Sequence, residues 1–181
     1  MKKYLVISDI HGALEGAKAM EEAFAYHHCD TILCLGDVLY HGPRNDLPSS
    51  YAPKDVIPVM NGHKDHIIAV RGNCEAEVDQ MVLEFPVLAD YNTLFYEDHR
   101  IFMTHGHIYT PDNPPSLPEG SLFLSGHTHL PVAQKREGIL FGNPGSVSIP
   151  KGGHPHSYGL VDERGFTVYT LDHTEYMHVD W

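Results

Sequence analysis

Apolar runs alternate with amphipathic stretches through the first half of the chain. Three continuous apolar runs have the length of buried strands: 3–8, 31–35 and 67–70. Residues 14–28 carry apolar side chains at helical spacing, with Ala, Glu and Lys in between. A second helical stretch, 54–61, contains Pro58, which a helix tolerates poorly in its interior. This β-α-β-α-β order predicts parallel strands joined by crossover helices.

The second half of the chain is dominated by short strand patterns separated by turn signals such as Arg136-Glu137-Gly138. The predicted strands are 93–96, 100–104, 122–125, 132–135, 139–141, 158–161, 166–171 and 176–181. Residues 109–120 contain four prolines and predict a surface loop that borders the functional site. We therefore expect an α/β (α+β) fold. Its form is a four-layer α-β-β-α sandwich, in which two mixed sheets, one of them more antiparallel, pack face to face with helices outside.

Composition indicates the number of domains and the cellular compartment of the protein. A chain of 181 residues with 42% hydrophobic content predicts one core and a single domain over residues 1–181. No apolar stretch approaches the roughly 18 residues of a membrane helix, and Asp9 interrupts the first apolar run, which disfavours a secretory signal. The three cysteines lack metal-knuckle spacing. These features predict a reduced, cytoplasmic protein without membrane contact.

The net charge of −12 argues against long nucleic acid as a substrate, because binding a polyanion by counterion release requires a basic surface. A small anion attracted to a local pair of metal ions remains compatible with this charge.

Metal-binding residue types follow the predicted strands in five short segments. They supply two carboxylates, one amide oxygen and four imidazoles: Asp9, His11, Asp37, Asn73, His105, His127 and His129. If Asp37 is shared, each of two metals has four protein ligands, which predicts a bridged two-metal site of the kind that hydrolyses phosphate esters. Ligands in open α/β sheets gather beyond the carboxyl ends of strands. We expect extended backbone at these segments, so that residues i and i+2 point to the same side.

These motifs resemble the calcineurin-like metallophosphoesterase superfamily, whose pattern is D-x-H, G-D, G-N-H-[DE], H and G-H-x-H. The resemblance runs from Asp9 through His129 and includes the Asn143-Pro144-Gly145-Ser146 turn. Within the superfamily the chain is similar to small bacterial phosphodiesterases of the YfcE type. The segments His41-Gly42-Pro43-Arg44-Asn45 and Arg71-Gly72-Asn73-Cys74 carry that closer similarity.

The resemblance implies a metal-dependent phosphodiesterase, a phosphoric diester hydrolase that acts on small phosphodiesters. It implies a first metal on Asp9, His11, Asp37 and His129, and a second on Asp37, Asn73, His105 and His127. It also implies manganese at both positions, although this mixed ligand set suits zinc, iron(II) or nickel as well. A hydroxide bridging the two metals would attack phosphorus in line with the leaving group, while the metals offset charge on the phosphoryl oxygens. Family members often pair, so a homodimer or larger assembly is expected.

One position departs from the superfamily pattern. Cys74 occupies the place of the histidine that assists the leaving group, and a thiol is a weaker hydrogen-bond donor than imidazolium. Because general acid catalysis contributes roughly 10²–10⁴-fold, we expect ready hydrolysis of activated aryl diesters and slow turnover of alkyl monoesters. His107 or His41 could supply the missing acid. Arg44 either binds a substrate phosphate oxygen or holds its own Gly-Pro turn.

The predicted catalytic residues are thus Asp37, Asn73, His105, Cys74 and His41, and the predicted substrate-binding residues are Arg44 and His107. Three other functions compete with a phosphodiesterase. A protein-interaction scaffold, like the retromer subunit of the same fold, would be expected to have lost metal ligands, whereas all are filled here. A phosphomonoesterase is disfavoured by Cys74, and a nuclease by the acidic charge.

Overall fold

The computed structural model describes residues 2–181. In this range the helices are α1 (Leu14–Tyr26), α2 (Pro53–Gly62) and α3 (Glu77–Val82), with a 3₁₀ turn at Lys64–His66. The strands are β1 (Tyr4–Ile7), β2 (Thr31–Cys34), β3 (Ile67–Ala69), β4 (Tyr91–Tyr96), β5 (His99–Thr104), β6 (Leu122–Leu124), β7 (Val132–Arg136), β8 (Ile139–Asn143), β9 (Ser157–Asp162), β10 (Gly165–Thr170) and β11 (Glu175–Asp180).

The strands form two mixed sheets. The first has the order β11-β10-β9-β1-β2-β3; β1, β2 and β3 are parallel, and β9 to β11 are antiparallel. The second has the order β4-β5-β6-β8-β7; β5, β6 and β8 are parallel, with β4 and β7 antiparallel at the edges. The prediction of two mixed sheets is therefore confirmed.

The two sheets pack against each other through alternate side chains of their strands. Val6 and Leu33 of the first sheet share a buried cluster with Met103 and Leu124 of the second. Successive residues of a strand face opposite sides, so Leu5 and its neighbours on the other face of β1 and β2 pack instead against α1 and α2. The carboxyl ends of β1, β2, β3, β5 and β6 each lead directly into a segment that carries candidate ligands.

The outer layers differ from each other. Helices α1 and α2 lie on the side of the six-stranded sheet, where they bury apolar side chains. The outer face of the five-stranded sheet carries Phe102, Phe123 and Phe141, against which Tyr109 and Leu117 pack. The covering layer there is consequently the proline-rich loop.

Strand positions agree with the sequence predictions to within about two residues, but two helical features differ. Pro58 lies inside α2, where it cannot donate the bond to the carbonyl of Lys54. The short helix α3 was not predicted, because six residues are too few to show helical periodicity. Its start is fixed by Asp79, whose Oδ2 accepts the backbone N–H of Ala76 at 2.7 Å.

Among residues 2–181 no helix has the length and apolar character needed to cross a bilayer.

Candidate metal centre

The seven predicted ligands converge at one edge of the two sheets. Two groups of their atoms, each within 4.8 Å, have the composition of metal sites: Asp9–His11–His129 and Asp9–Asp37–His105. A third group combines His11 and Asp37 with Cys74, which was not predicted as a ligand. Asp9, His11, His105 and His129 are almost completely buried. The expectation that strand ends bring these residues together agrees with this geometry.

The backbone of the ligand segments is not extended, so that part of the prediction is wrong. Five candidate ligands adopt left-handed φ values between 51° and 66°: Asp9, His11, Asp37, His127 and His129. Hydrogen bonds between the two neighbouring loops hold this conformation, since the N–H of Asp9 donates to Gly36 O at 3.1 Å and that of His11 to Asp37 O at 2.8 Å. Strained residues of this kind cluster at functional sites.

Three of the four imidazoles are oriented by backbone carbonyls. The bonds run from His11 Nδ1 to Tyr40 O at 2.8 Å, from His105 Nδ1 to Leu35 O at 2.7 Å and from His129 Nδ1 to Ile149 O at 2.6 Å. A carbonyl can only accept, so each Nδ1 carries a proton, and in the neutral ring Nε2 presents its lone pair. Outer hydrogen bonds of this type are typical of metal-binding histidines.

The inward-facing atoms around Asp9 fit a cation. Asp9 Oδ1 is buried and has no hydrogen-bond partner in the described part of the chain. It lies 3.4 Å from His11 Nε2 and 3.2 Å from His129 Nε2, and these two nitrogens are 3.3 Å apart. The other oxygen, Oδ2, accepts Ser8 Oγ–H at 2.6 Å and the N–H of His127 at 3.0 Å. A carboxylate oxygen with this environment is the group that a metal would satisfy.

A second set of donors lies on the other side of Asp37. His105 Nε2 is 3.1 Å from Asn73 Oδ1 and 3.2 Å from His127 Nδ1. Asp37 Oδ2 lies 3.4 Å from His105 Nε2 and 3.6 Å from His11 Nε2, so that it reaches both sets. Carboxylate, amide and imidazole donors together suit borderline divalent ions.

The buried carboxylates and imidazoles shift the acidity of each other. Burial by itself would raise the pKa of Asp9, but the close contacts with His11 and His129, together with the charge of His105, outweigh it and hold the pKa well below the ordinary value. Burial lowers the pKa of His105, whereas the contact with Asp37 and the charges of Asp9 and Asp37 raise it to about 9. The cluster therefore stabilises ionised carboxylates next to groups that can take up positive charge.

Glu75 joins two ligand-bearing loops and was missed by the sequence interpretation. Its Oε2 accepts the backbone N–H groups of Asp37 at 2.8 Å and Gly72 at 2.6 Å, and its Oε1 accepts that of Val38 at 2.6 Å. Burial, and then the charge of Asp37, raise the pKa of Glu75 to about 7. The sequence signal for it was the acidic position that ends the pattern G-N-H-[DE], which Glu75 fills.

Cys74 lies beside Asp37 as a free thiol. Its backbone N–H donates to Asp37 Oδ1 at 2.9 Å, and its Sγ is 3.3 Å from Asn73 Nδ2. Burial, followed by the negative charge of Asp37, raises the pKa of the Cys74 thiol far above its ordinary value. A thiol held in this protonated form is not a nucleophile.

The remaining predicted residues differ in where they lie. Arg44 lines the cleft over the cluster, together with the unpredicted Lys151. His107 packs near the second set of donors, with its ring centroid 5.4 Å from that of His105. His41 contacts the ring of Tyr51, at 5.3 Å between centroids, and is not among the residues that line the cleft.

Two packed mixed sheets with these donors at the ends of their strands define the class of metallophosphoesterases. A family model described as the calcineurin-like phosphoesterase superfamily domain matches residues 2–165, and the chain belongs to this superfamily.

Among known proteins, the chain is 48% identical to Phosphodiesterase YfcE of Escherichia coli strain K12 over 95% of this chain and 94% of that protein. The solved structure of Yfce, a phosphoesterase from E. coli, superposes with a TM-score of 0.94 at 47% identity, covering 97% of each chain. Vacuolar Protein Sorting 29 from Cryptosporidium parvum shares the fold, with a TM-score of 0.65 at 20% identity over 97% of this chain and 94% of its own. The prediction of a phosphoric diester hydrolase is confirmed at the level of enzyme class.

Proposed function

We propose that this protein hydrolyses small phosphodiesters at a dinuclear metal centre bridged by Asp37. The observation that carries the proposal is the position of Asp37 Oδ2 between two imidazole groups, 3.6 Å from His11 Nε2 and 3.4 Å from His105 Nε2. Every ligand position implied by the superfamily pattern is filled. A non-catalytic scaffold has no use for a complete and buried set of this kind.

The residues divide into two ligand sets around the shared carboxylate. We assign Asp9, His11, Asp37 and His129 to one metal, and Asp37, Asn73, His105 and His127 to the other, with manganese as the proposed ion. When bound, such metals would supply Lewis acidity toward phosphate oxygens and would lower the pKa of water to give a nucleophile. The chain itself orients three of the donors, because backbone carbonyls hold the rings of His11, His105 and His129.

The cleft side chains then determine which leaving groups depart easily. Cys74 keeps its proton and is a weak donor, so that an activated phenoxide, which needs no proton, is favoured over an alkoxide. We favour His107 over His41 as the substitute acid, since its ring packs against His105 and His127, whereas that of His41 packs against Tyr51. Arg44 is proposed to bind substrate, because its own turn is held instead by Asn45, whose Nδ2 donates to His41 O at 2.9 Å.

The size of the substrate, the cellular location and the oligomeric state are also proposed from the sequence. The net charge of −12 favours a small substrate over long nucleic acid. We propose a single cytoplasmic domain that assembles as a homodimer or larger oligomer, with the C-terminal strand and the late hairpins as interface elements.

The test is to strip the protein with a chelator and to assay hydrolysis of bis(p-nitrophenyl) phosphate with and without added Mn²⁺. Activity should disappear on stripping, return with metal and be absent in Asp37→Asn at every metal concentration. Asp172→Asn, an exposed carboxylate far along the chain in the β10–β11 turn, serves as the matched control. Two bound ions without hydrolysis of any phosphate ester would favour the scaffold instead.

A further inference from the structure

Two cationic side chains border the cleft over the candidate metal centre. Arg44 and Lys151 line it together with Asn73 and Cys74, and both are exposed. Neither side chain forms a hydrogen bond or ion pair with another of the residues 2–181. Four of the ten other Lys and Arg residues are paired with a carboxylate: Lys64, Arg71, Arg136 and Arg164.

The loop that carries Arg44 is anchored to the first ligand set. Tyr40 O accepts the Nδ1–H of His11 at 2.8 Å, and Asn45 Nδ2 donates to His41 O at 2.9 Å. These two bonds hold the backbone on both sides of the Gly42-Pro43 turn. Arg44 therefore extends from a fixed turn, with its guanidinium free for a ligand.

The loop that carries Lys151 is anchored to the same ligand set from the other side. Ile149 O accepts the Nδ1–H of His129 at 2.6 Å, and the N–H of Lys151 donates to His129 O at 3.4 Å. His11 and His129 are neighbours at 3.3 Å between their Nε2 atoms. The two loops are therefore anchored next to each other, and both bring a cation to the lining of the same cleft.

The charge of the cleft exceeds what a simple phosphodiester needs. A phosphodiester has one negative charge, which the proposed metals would already neutralise, and the chain as a whole is strongly acidic. Two further unpaired cations at this place are suited to a second anion on the substrate. Phosphate matches both of them, since it accepts a forked pair of bonds from arginine and a point charge from lysine.

We propose that the substrate is a small phosphodiester that carries a second phosphate on one alcohol group, and that Lys151 is a specificity residue that binds this phosphate together with Arg44. The inference rests on the proposed function, because it concerns the same cleft. It adds a substrate class and a residue that the ligand pattern does not contain.

The experiment compares two substrates with the same leaving group in Mn²⁺-loaded protein. They are thymidine 5′-(p-nitrophenyl phosphate) and its 3′-phosphorylated form. We expect kcat/KM for p-nitrophenolate release to be about tenfold higher for the 3′-phosphorylated substrate, and this ratio to fall to about threefold in Lys151→Gln, as is reasonable for one charge-assisted contact in a partly exposed cleft. Lys18→Gln, which removes an exposed lysine of α1, should keep the ratio.

A binding measurement separates recognition from turnover. Calorimetry should give a lower Kd for thymidine 3′,5′-bisphosphate than for thymidine 5′-phosphate, and Lys151→Gln should reduce this difference. Equal kcat/KM and equal Kd in the wild type would overturn the inference while leaving the phosphodiesterase intact, and so would a preference that survives Lys151→Gln. A Lys151-dependent preference in binding without hydrolysis of either substrate would support the phosphate site and contradict the proposed function. Neither hydrolysis nor preference would contradict both.

Discussion

The Nε2 atoms of His11 and His129 lie 3.3 Å apart, while the Nδ1 of each ring is engaged by a backbone carbonyl. Two neutral imidazoles held in this way direct their lone pairs at one another, and both face the unpartnered Oδ1 of Asp9. A shared proton or a metal ion would remove the repulsion between these lone pairs, and a divalent ion would also neutralise the charge of the buried carboxylate. The relationship is therefore a direct structural reason to expect metal between these residues.

Replacing His129 by Gln should remove one of the two ions. Elemental analysis of the purified protein should give two metals per chain for the wild type and about one for His129→Gln. Chelation should destabilise the wild type, since a ligand at about 100 times its Kd stabilises a fold by about 2.7 kcal/mol, and the variant should lose less. His156→Gln is the matched control, because His156 Nδ1 also bonds a carbonyl, Val147 O at 2.9 Å, outside the cluster. Two ions retained in His129→Gln would contradict the ligand assignment.

Glu75→Gln should loosen the loops that carry Asp37 and Gly72. The carboxylate accepts three backbone N–H groups, whereas glutamine directs its NH₂ at one or two of them. We expect a loss of about 1–3 kcal/mol in the free energy of unfolding, together with weaker metal binding, measured by chemical denaturation and metal titration. Glu77→Gln, on the exposed start of α3, should change neither. A Glu75→Gln protein with wild-type stability would show that these bonds are replaceable.

The convergence of the ligands from the first half of the chain could be predicted from sequence because it depends only on strand order, whereas the histidines after β5 and β6 come from the other sheet. Asp9, Asp37 and Asn73 follow three parallel strands, and parallel strands end at one edge. The left-handed backbone of Asp9 and His11 could not be predicted from sequence, because it depends on hydrogen bonds to Gly36 O and Asp37 O in the neighbouring loop. Local propensity disfavours positive φ at both positions.

The roles of Glu75 and Lys151 could not be predicted either, because they too depend on contacts between loops that are distant in sequence. The carboxylate of Glu75 matters because three N–H groups from two separate loops meet it, and the cleft position of Lys151 depends on how its loop bonds to His129. Likewise, nothing in the spacing of Phe102 or Phe123 indicates whether a helix or a proline-rich loop will cover them. Sequence patterns report which face is buried, but not which element buries it.

Cys74 should prove to be dispensable for activated diesters. Because burial and Asp37 keep it a thiol, Cys74→Ser and Cys74→Ala should retain hydrolysis of bis(p-nitrophenyl) phosphate within about threefold. Cys74→His should raise activity on alkyl phosphomonoesters relative to that diester by about tenfold, since imidazole restores a proton donor whose full effect is roughly 10²–10⁴-fold. Steady-state kinetics with both substrates measures this. An unchanged profile in Cys74→His, with Cys74→Ala also unchanged, would mean that leaving-group protonation occurs elsewhere.

Gly72 should tolerate no side chain. A Cβ at this position would lie 2.5 Å from Asp37 N and 2.7 Å from Glu75 Oε2, and it would also overlap Asp37 Oδ1. Gly72→Ala is therefore expected to displace the bridging carboxylate and to abolish metal-dependent activity. Gly62→Ala, at the end of α2, meets no atom within 4 Å and should be neutral or stabilising by up to about 1 kcal/mol. Activity and metal content should be measured for both variants. An active Gly72→Ala enzyme would contradict the prediction and show that the loops can move apart.

Far from the metal centre, His27 should make the fold sensitive to acid. It is buried at the end of α1, where its Nε2 is 2.8 Å from Tyr158 Oη. Burial, and then the charges of His173 and Lys3, lower the pKa of His27 from 6.5 to about 4. A histidine with a depressed folded-state pKa stabilises the fold fully above its unfolded pKa, and that contribution is lost as the pH falls from about 6.5 to 4.

Thermal unfolding of the wild type and of His27→Gln, measured from pH 7.5 to pH 4, isolates this contribution. The variant should be the less stable protein at pH 7.5. The difference in Tm between the two proteins should narrow below pH 6.5, because only the wild type then has a histidine at position 27 that takes up a proton on unfolding while it stays neutral in the fold. His66→Gln, which changes an exposed histidine, should follow the wild type throughout. A Tm difference that stays constant across this range would mean that His27 titrates at its ordinary pKa, and that the acid sensitivity arises from the carboxylates of the metal centre instead.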